Sequence, residues 1–359
     1  MISQQLPDRA LLIDIGTGTR DIMLFSSQNS LENNSKIVAP TATRKLAARV
    51  AHAKQNLKIA GFTMGGGPLA DAMCNHIRKG FSIEIEPLAS FTVRNNLEQV
   101  EKAGFCICEK VDDPDIFFDE IEIKRLFEIF TGLGEDCSNI KMIGLSVQDH
   151  GDHGYDESSR KKRFELFLEL LGDEPHLRSL IFNRKNLPEN FSRMRSGLNC
   201  IDRHFPEIEI ILMDTCISAV SGCFFDPKVD RTQGPMLIVN FGNGHTLACV
   251  VEGKKLLAIY EHHTGMIKKN PALLEDHLRR LVEGRLEFEE VFQTGGHGCK
   301  TFTAKSFADL SLIVATGPNR QISEKISFDF YQPSPGGDMM MTGPLGLLKG
   351  YEILKRREN

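Results

Sequence analysis

Residues 11–20 read Leu11-Leu12-Ile13-Asp14-Ile15-Gly16-Thr17-Gly18-Thr19-Arg20, and Asp21-Ile22-Met23-Leu24-Phe25 follow at once. An apolar run, a turn of small residues and a second apolar run predict a β-hairpin. The same pattern recurs about 225 residues later. There Met236-Leu237-Ile238-Val239-Asn240-Phe241 leads into Gly242-Asn243-Gly244-His245-Thr246, and Leu247-Ala248-Cys249-Val250-Val251 follows. One such turn is an ordinary hairpin. Two, each opening one half of the chain, suit a phosphate clamp, because glycine lets the backbone come close to a ligand. Successive N–H groups and threonine hydroxyls then satisfy phosphate oxygens.

A length of 359 residues suits two domains rather than one small core. The apolar fraction of 41% with 25% charged residues is that of an ordinary globular protein. A net charge of −5 without a long basic run argues against nucleic acid as a partner. The densest basic cluster, Arg160-Lys161-Lys162-Arg163, reads as the solvated face of a helix. No apolar stretch approaches the ~20 residues of a membrane span, and the first nine residues are too polar for a signal peptide. The cytoplasm is therefore the expected location. Nine scattered cysteines, none in a C-x2-C pair, argue for reduced thiols rather than a disulfide framework.

Strands and helices alternate along the chain, which predicts an α/β fold. Strands are expected at 10–25, 58–64, 141–147, 207–213, 255–260 and 310–315, and helices at 68–79, 214–224 and 271–283. Gly65-Gly66-Gly67 reads as a strand–helix turn, with phosphate contact as the other option. Residues 157–205 read as a mostly helical insertion, and the turn-rich stretch 226–235 as the boundary between the two halves. The expected division is 1–226 and 233–359. A closing helix over 339–354, interrupted at Gly343-Pro344, is expected to pack back across the boundary.

The landmarks, taken in order, resemble those of the actin-like ATPase superfamily, which includes sugar kinases, acetate kinases, heat-shock chaperones and actin. Asp14-Ile15-Gly16-Thr17-Gly18-Thr19 resembles its first phosphate loop, with Arg20 placed as in glycerol-kinase-type enzymes. Ile143-Gly144-Leu145-Ser146-Val147-Gln148-Asp149-His150-Gly151 is similar to the Gly-x-Ser-x-Gln-x-His-Gly stretch of those kinases. Asp214-Thr215 through Ala219 resembles the first connecting helix, 240–246 the second phosphate loop, and Ala315-Thr316-Gly317-Pro318 the adenosine loop. The resemblance implies two actin-like, ribonuclease H-like domains with mixed sheets flanked by helices around a central nucleotide cleft. Residues 260–265, 295–298 and 337–344 further resemble a family of this superfamily whose members carry a label as pyruvate formate-lyase activating enzymes. That chemistry needs three cysteines placed for an iron–sulfur cluster, and the C-x3-C-x2-C pattern is absent.

With ATP in such a cleft, Gly16, Thr17, Gly18 and Thr19 would hold phosphates from one side, and Gly242, Asn243, Gly244, His245 and Thr246 from the other. Gly317 and Gly337 would border adenine. Asp14 would orient Mg²⁺, partly through water. A carboxylate that orients the acceptor would complete the set. Asp214 and Asp149 both fit this role: Asp214 could equally be a helix N-cap, and Asp149 at a strand end should point into the cleft. Asn240 stands where the superfamily habitually has an aspartate, and an amide supplies no charge for Mg²⁺.

Histidines depart further from a plain kinase. Asp149-His150-Gly151-Asp152-His153 packs four potential ligands into five residues, and His262-His263, His245, His297 and Asp338 lie near other predicted loops. Imidazole with carboxylate suits a transition metal better than Mg²⁺. A second metal site at Asp149, His150, Asp152, His153, His262 and His263 is one reading; loop capping or proton transfer by His150 is the other. The leading functional expectation is an ATP- and Mg²⁺-dependent phosphotransferase on a small cytosolic molecule. The alternatives are a nucleotide-responsive ATPase switch or sensor, and a metal-dependent hydrolase or lyase using the histidine-rich loops.

Overall fold

Alternate residues of the first strand enter two different cores. Leu11, Ile13 and Ile15 join Ile22, Leu24, Ile143 and Leu145, whereas Ala10 and Leu12 join Met23, Met236, Ile238 and Leu345. A strand buried on both faces in this way must lie inside a layered structure. The computed structural model describes residues 6–152 and 158–356.

The chain opens with β1 (Arg9–Ile15), β2 (Thr19–Ser26) and β3 (Ser35–Pro40), an antiparallel meander. Helix α1 (Ala42–His52) leads to β4 (Leu57–Gly61), α2 (Pro68–Arg78), β5 (Ile83–Ile85), α3 (Pro87–Ser90) and α4 (Leu97–Lys102). Then come β6 (Cys106–Ile107), β7 (Ile116–Phe118) and α5 (Ile123–Gly132). β8 (Met142–Val147) returns to lie parallel to β1, and α6 (Ser159–Leu171), β9 (Ile181–Phe182) and α7 (Ser192–Asp202) follow. β10 (Glu209–Asp214) pairs parallel with β8. The first sheet has the order β3-β2-β1-β8-β10-β9.

After α8 (Thr215–Gly222) and α9 (Pro227–Arg231), β11 (Pro235–Phe241), β12 (His245–Glu252) and β13 (Lys255–His263) repeat the meander. α10 (Thr264–Lys269), α11 (Pro271–Val282) and α12 (Phe288–Gln293) precede β14 (Gly296–Thr301), β15 (Leu312–Thr316) and β16 (Phe330–Tyr331). The second sheet runs β14-β13-β12-β11-β15-β16. Five strands of each sheet therefore share one order, third-second-first-fourth-fifth, with the same directions. The fold is α/β and duplicated, with mixed sheets flanked by helices, and each copy begins with a glycine hairpin.

The closing helix α13 (Thr342–Lys355) and α8 cross between the sheets. A Cβ on Gly346 would overlap the Ser218 carbonyl, and one on Gly222 the Thr342 carbonyl, so only glycine permits this crossing. The shared core of Ile217, Val220, Leu345 and Leu348 joins Met213 and Leu12 on one side to Ile238 and Cys249 on the other.

Three expectations are corrected. Gly343-Pro344 does not interrupt the last helix; it lies in the first turn of α13, where a missing proline N–H costs nothing. Residues 172–191 are not helical but carry a short 3-10 turn, Leu177–Leu180, and β9, which extends the first sheet. Residues 57–118 form a parallel sheet of their own, β6-β5-β4-β7, whose strands of two to five residues leave only a weak pattern in the sequence.

Candidate functional site

The two hairpin turns meet tip to tip. A Cβ on Gly18 would stand 2.5 Å from the Asn243 side-chain nitrogen, and one on Gly244 would stand 2.6 Å from the Thr17 hydroxyl. Glycine at both tips is what allows the two sheets to approach there. Below them lies a cavity of about 50 Å³ lined by Asp14, Thr17, Thr19, Asp21, Asn240, Gly242, Asn243, Gly317 and Gly343 among others. The Asp14 carboxylate accepts from the Ser146 hydroxyl at 2.6 Å and abuts Gly343 at the start of α13, where no side chain would fit. Gly317, with φ +94°, packs its Cα against the Asn240 amide and the Phe241 carbonyl, so the turn after β15 needs glycine.

Asp21 joins Asp14 at this cavity, a residue the hairpin reading passed over as part of a strand. It is paired directly across from Asp14 in the β1–β2 register, so both point to the same face. Burial pushes the Asp14 carboxyl up to about 6. Burial, and then the charge of Asp14, push Asp21 up to about 8. One Asp21 oxygen is buried without a hydrogen-bond partner. Two buried carboxylates, one incompletely satisfied, make a place short of positive charge, and hard oxygen donors suit Mg²⁺. The residues present therefore fit a magnesium ion, held by Asp14 and Asp21, which would neutralise phosphate charge.

The two candidate bases are both committed to structural contacts. Asp214 caps α8 by accepting from the Cys216 N–H at 2.9 Å, and its other oxygen accepts from the Arg163 guanidinium at 2.7 Å. Asp149 lies in the wall of a cavity, but its oxygens accept from the Gly151 N–H at 2.9 Å and the Met194 N–H at 2.8 Å, capping the first turn of α7. Burial raises its carboxyl, although these amides pull the other way. Arg163 overturns the solvated-face reading of the basic cluster. It is 1% exposed, because α6 packs between the sheets and its guanidinium bridges Asp214 to Glu261 on β13.

Arg20 turns away from the hairpin, donating to the Glu120 and Ile121 carbonyls and pairing with Glu122 at 3.0 Å. Thr246 is buried, its hydroxyl 3.0 Å from that of Thr264. Gly337 lies against Glu32 and is not among the residues lining the small cavity.

The histidines divide by strand alternation. His262 faces the outer core of the second sheet, stacked near Tyr260 and His277 and 3.3 Å from the Thr294 hydroxyl. His263 lies on the other face, its ring centre 4.7 Å from that of His245 and 5.0 Å from that of His297. His150 stands 6.0 Å from His245 and 5.9 Å from His297 by the same measure. Asp152 is exposed, with its N–H donating to the Asn190 carbonyl, and His153 lies outside the described residues. Among the described residues, His150, His245 and His297 bring one ligand atom each within 4.8 Å of one another. Burial holds His150 down to about 3 and keeps His245, His263 and His297 below the usual imidazole range, so all four are neutral at pH 7.

A larger cavity, about 310 Å³, opens beside this cluster and the first hairpin. Its walls include Gly16, Thr17, Thr63, Gly65, Gly66, Gly67, Arg94, Gln148, His150 and Arg193. Gly65-Gly66-Gly67 is thus a strand–helix turn that also shapes a pocket. Arg193 is held by a two-pronged pair with Glu120 at 2.9 and 2.7 Å. A cavity of about 900 Å³ lies elsewhere, at the C-terminal end of α13 beside Lys254 and Arg178, and holds none of the expected site residues.

Residues 64–322 match a protein family described as "Putative pyruvate format-lyase activating enzyme (DUF1786)", and the chain belongs to this family. No curated protein matches. Among solved structures, the chain is similar to apo psk41 ParM protein at 15% identity and TM-score 0.32, with 97% of this chain and 98% of that one covered. It is similar to a Bacteroides thetaiotaomicron protein with actin-like ATPase fold and unknown function, at 8% identity and TM-score 0.41, covering 96% and 98%. It is also similar to an inorganic polyphosphate/ATP-glucomannokinase from Arthrobacter sp. strain KM, at 9% identity and TM-score 0.37, covering 97% and 100%. The cluster implied by the family description does not fit this chain. Among the described residues no three cysteines converge; Cys106 and Cys108, 3.8 Å apart, are a lone pair.

Proposed function

We propose that this chain binds ATP with Mg²⁺ between its two glycine hairpins and transfers the terminal phosphoryl group to a small molecule in the 310 Å³ cavity. The observation that carries this reading is the tip-to-tip meeting of the hairpins above the buried pair Asp14 and Asp21. Residues of both turns line one space together with the two carboxylates, which suits a phosphate-bound cation. The space below the tips, about 50 Å³, is far smaller than the several hundred Å³ a nucleotide occupies. Binding therefore separates Asn243 from Gly18, with residues 1–226 and 233–359 moving as two lobes. Reclosure on the substrates would exclude water from the transfer.

Mg²⁺ supplies charge neutralisation at the phosphates. The hairpin amides position them, and Arg193 and Arg94 line the acceptor cavity with positive charge. Calorimetric titration with Mg²⁺-ATP tests this reading. Saturable binding by the wild type, lost in Asp14→Asn, is the expected result. No binding up to millimolar ATP would sink it.

A second reading is favoured by one specific observation. Asp149 and Asp214 are both occupied as helix caps, and Asn240 replaces an acid on the second side of the cavity. With both expected bases engaged in this way, the site suits slow hydrolysis, as in a nucleotide-responsive switch. ATP turnover that rises only with a particular small molecule supports transfer; turnover indifferent to every acceptor supports the switch.

A further inference from the structure

We propose that His150, His245 and His297 form a binding site for a Zn²⁺-class divalent transition metal, with one coordination position open to the 310 Å³ cavity. This goes beyond the nucleotide reading and stands on different residues.

The three imidazoles come from separate parts of the fold: the loop after β8, the start of β12 and the start of β14. Their ligand atoms lie within 4.8 Å of one another, so modest rotations of the rings bring all three onto one ion with bonds of about 2.0–2.1 Å. The second, independent observation is His297 itself. It is 0% exposed, and neither ring nitrogen has a hydrogen-bond partner. A polar ring brought into the core and left unsatisfied on both sides calls for an occupant. Gly296 and Gly298 flank it because a Cβ at either would strike Val291 and His262, or Phe288 and Phe164. The packing thus places this ring rather than merely tolerating it.

The surroundings match a metal site's outer layer. Glu261 Oε2 lies 3.3 Å from His297 Nδ1, without hydrogen-bond alignment, and is itself gripped by Arg163. A carboxylate behind an imidazole orients it as a ligand. Gln148 Nε2 lies 2.6 Å from His245 Nδ1 and 3.3 Å from its Nε2. With the amide flipped, the Gln148 oxygen would accept from Nδ1–H and leave Nε2 for the ion. His263 stands beside His245 and His297 but outside the group of three whose ligand atoms converge. His150 also lines the 310 Å³ cavity, so water or an oxygen-donor substrate can reach the ion from there. Neutral imidazoles prefer Zn²⁺, Fe²⁺ or Co²⁺ to Mg²⁺, which separates this site from the carboxylates at Asp14 and Asp21.

The test uses the full chain, stripped with a chelator and reloaded with Zn²⁺ or Co²⁺. The expected result is about one metal per chain after gel filtration, with a Co²⁺ visible spectrum of nitrogen-rich, four- or five-coordinate type. His297→Phe, which removes the two unsatisfied nitrogens while keeping a ring, and His150→Ala should each weaken Zn²⁺ binding at least ~100-fold. Asp14→Asn should keep the metal while losing Mg²⁺-ATP, so the two readings fail separately. Less than about a tenth of an equivalent in the wild type, or undiminished binding in either folded histidine variant, overturns the site. If neither variant folds, wild-type metal content and the Co²⁺ spectrum decide alone.

Discussion

Arg163 Nη2 lies 2.8 Å from Glu261 Oε1, and neither side chain is more than 1% exposed. The pair ties the helix that leaves the first sheet to the third strand of the second, and Arg163 also holds Asp214 at 2.7 Å. Burial would raise the Glu261 carboxyl, but the guanidinium outweighs it and holds the group below the usual carboxylate range. Arg163→Met therefore leaves two buried carboxylates without their cation. A loss of about 3–5 kcal/mol is expected, read from urea denaturation. A change under about 1 kcal/mol would show that the pair does not join the lobes in solution.

Asp21 gives a pH-dependent signature. Its carboxyl is pushed up to about 8 by burial and by Asp14, so the folded chain holds a proton that the unfolded chain releases near 4. Stability is then full below about pH 4 and declines as pH rises through 8. In Mg²⁺-free buffer at pH 8.5, Asp21→Asn is expected to raise the thermal midpoint by several degrees. Added Mg²⁺ should stabilise the wild type and not the variant. An Asp21→Asn protein that melts lower than wild type in both buffers would count against a cation-seeking carboxylate.

Lys254 behaves in the opposite sense. Burial, with Lys349 next in weight, lowers its ammonium to about 7, and its Nζ sits over the Phe224 ring, 3.1 Å from the centroid. The folded chain releases this proton near 7, whereas the unfolded chain keeps it to about 10.5. Stability contributed by this group thus rises between pH 7 and 10.5. Lys254→Met should flatten that rise, compared by denaturation at pH 7 and pH 9.5. An identical pH slope in both proteins would contradict the shift.

Gly346 tests the crossing of α8 and α13. Its Cβ would overlap the Ser218 carbonyl, a backbone atom that cannot rotate aside. Gly346→Ala is expected to cost at least about 1–3 kcal/mol, in spite of alanine's better helix propensity. Gly132→Ala, where nothing lies within 4 Å of the added methyl, serves as the comparison and should lie within ~0.5 kcal/mol of wild type.

Much of the frame was legible before any coordinates. Both hairpins are written as apolar runs around small turns, and Asp214 and Asn270 mark the starts of α8 and α11 as side-chain caps. Such signals are local, since a cap or a hairpin involves residues within a few positions of each other. The small parallel sheet at 57–118 escaped because strands this short carry too few alternating residues to establish a period. Arg163 was misread for a related reason: its three neighbours in the basic run do face outward or lie half-buried, and charge alone does not say which one turns inward.

Composition and order by themselves determined that this chain is α/β, that it is built twice over on glycine hairpins, and that Asp14 stands at the end of the first strand. The tertiary structure decided which side chains meet. Asp21 joins Asp14 only through the β1–β2 register, and His262 and His263 part company because successive strand residues face opposite ways. His150, His245 and His297 are far apart in the chain and converge only when two sheets pack across α8 and α13. Hydrogen bonds of turns and caps are settled within a few residues, whereas a site assembled between sheets depends on long-range packing that no local pattern records.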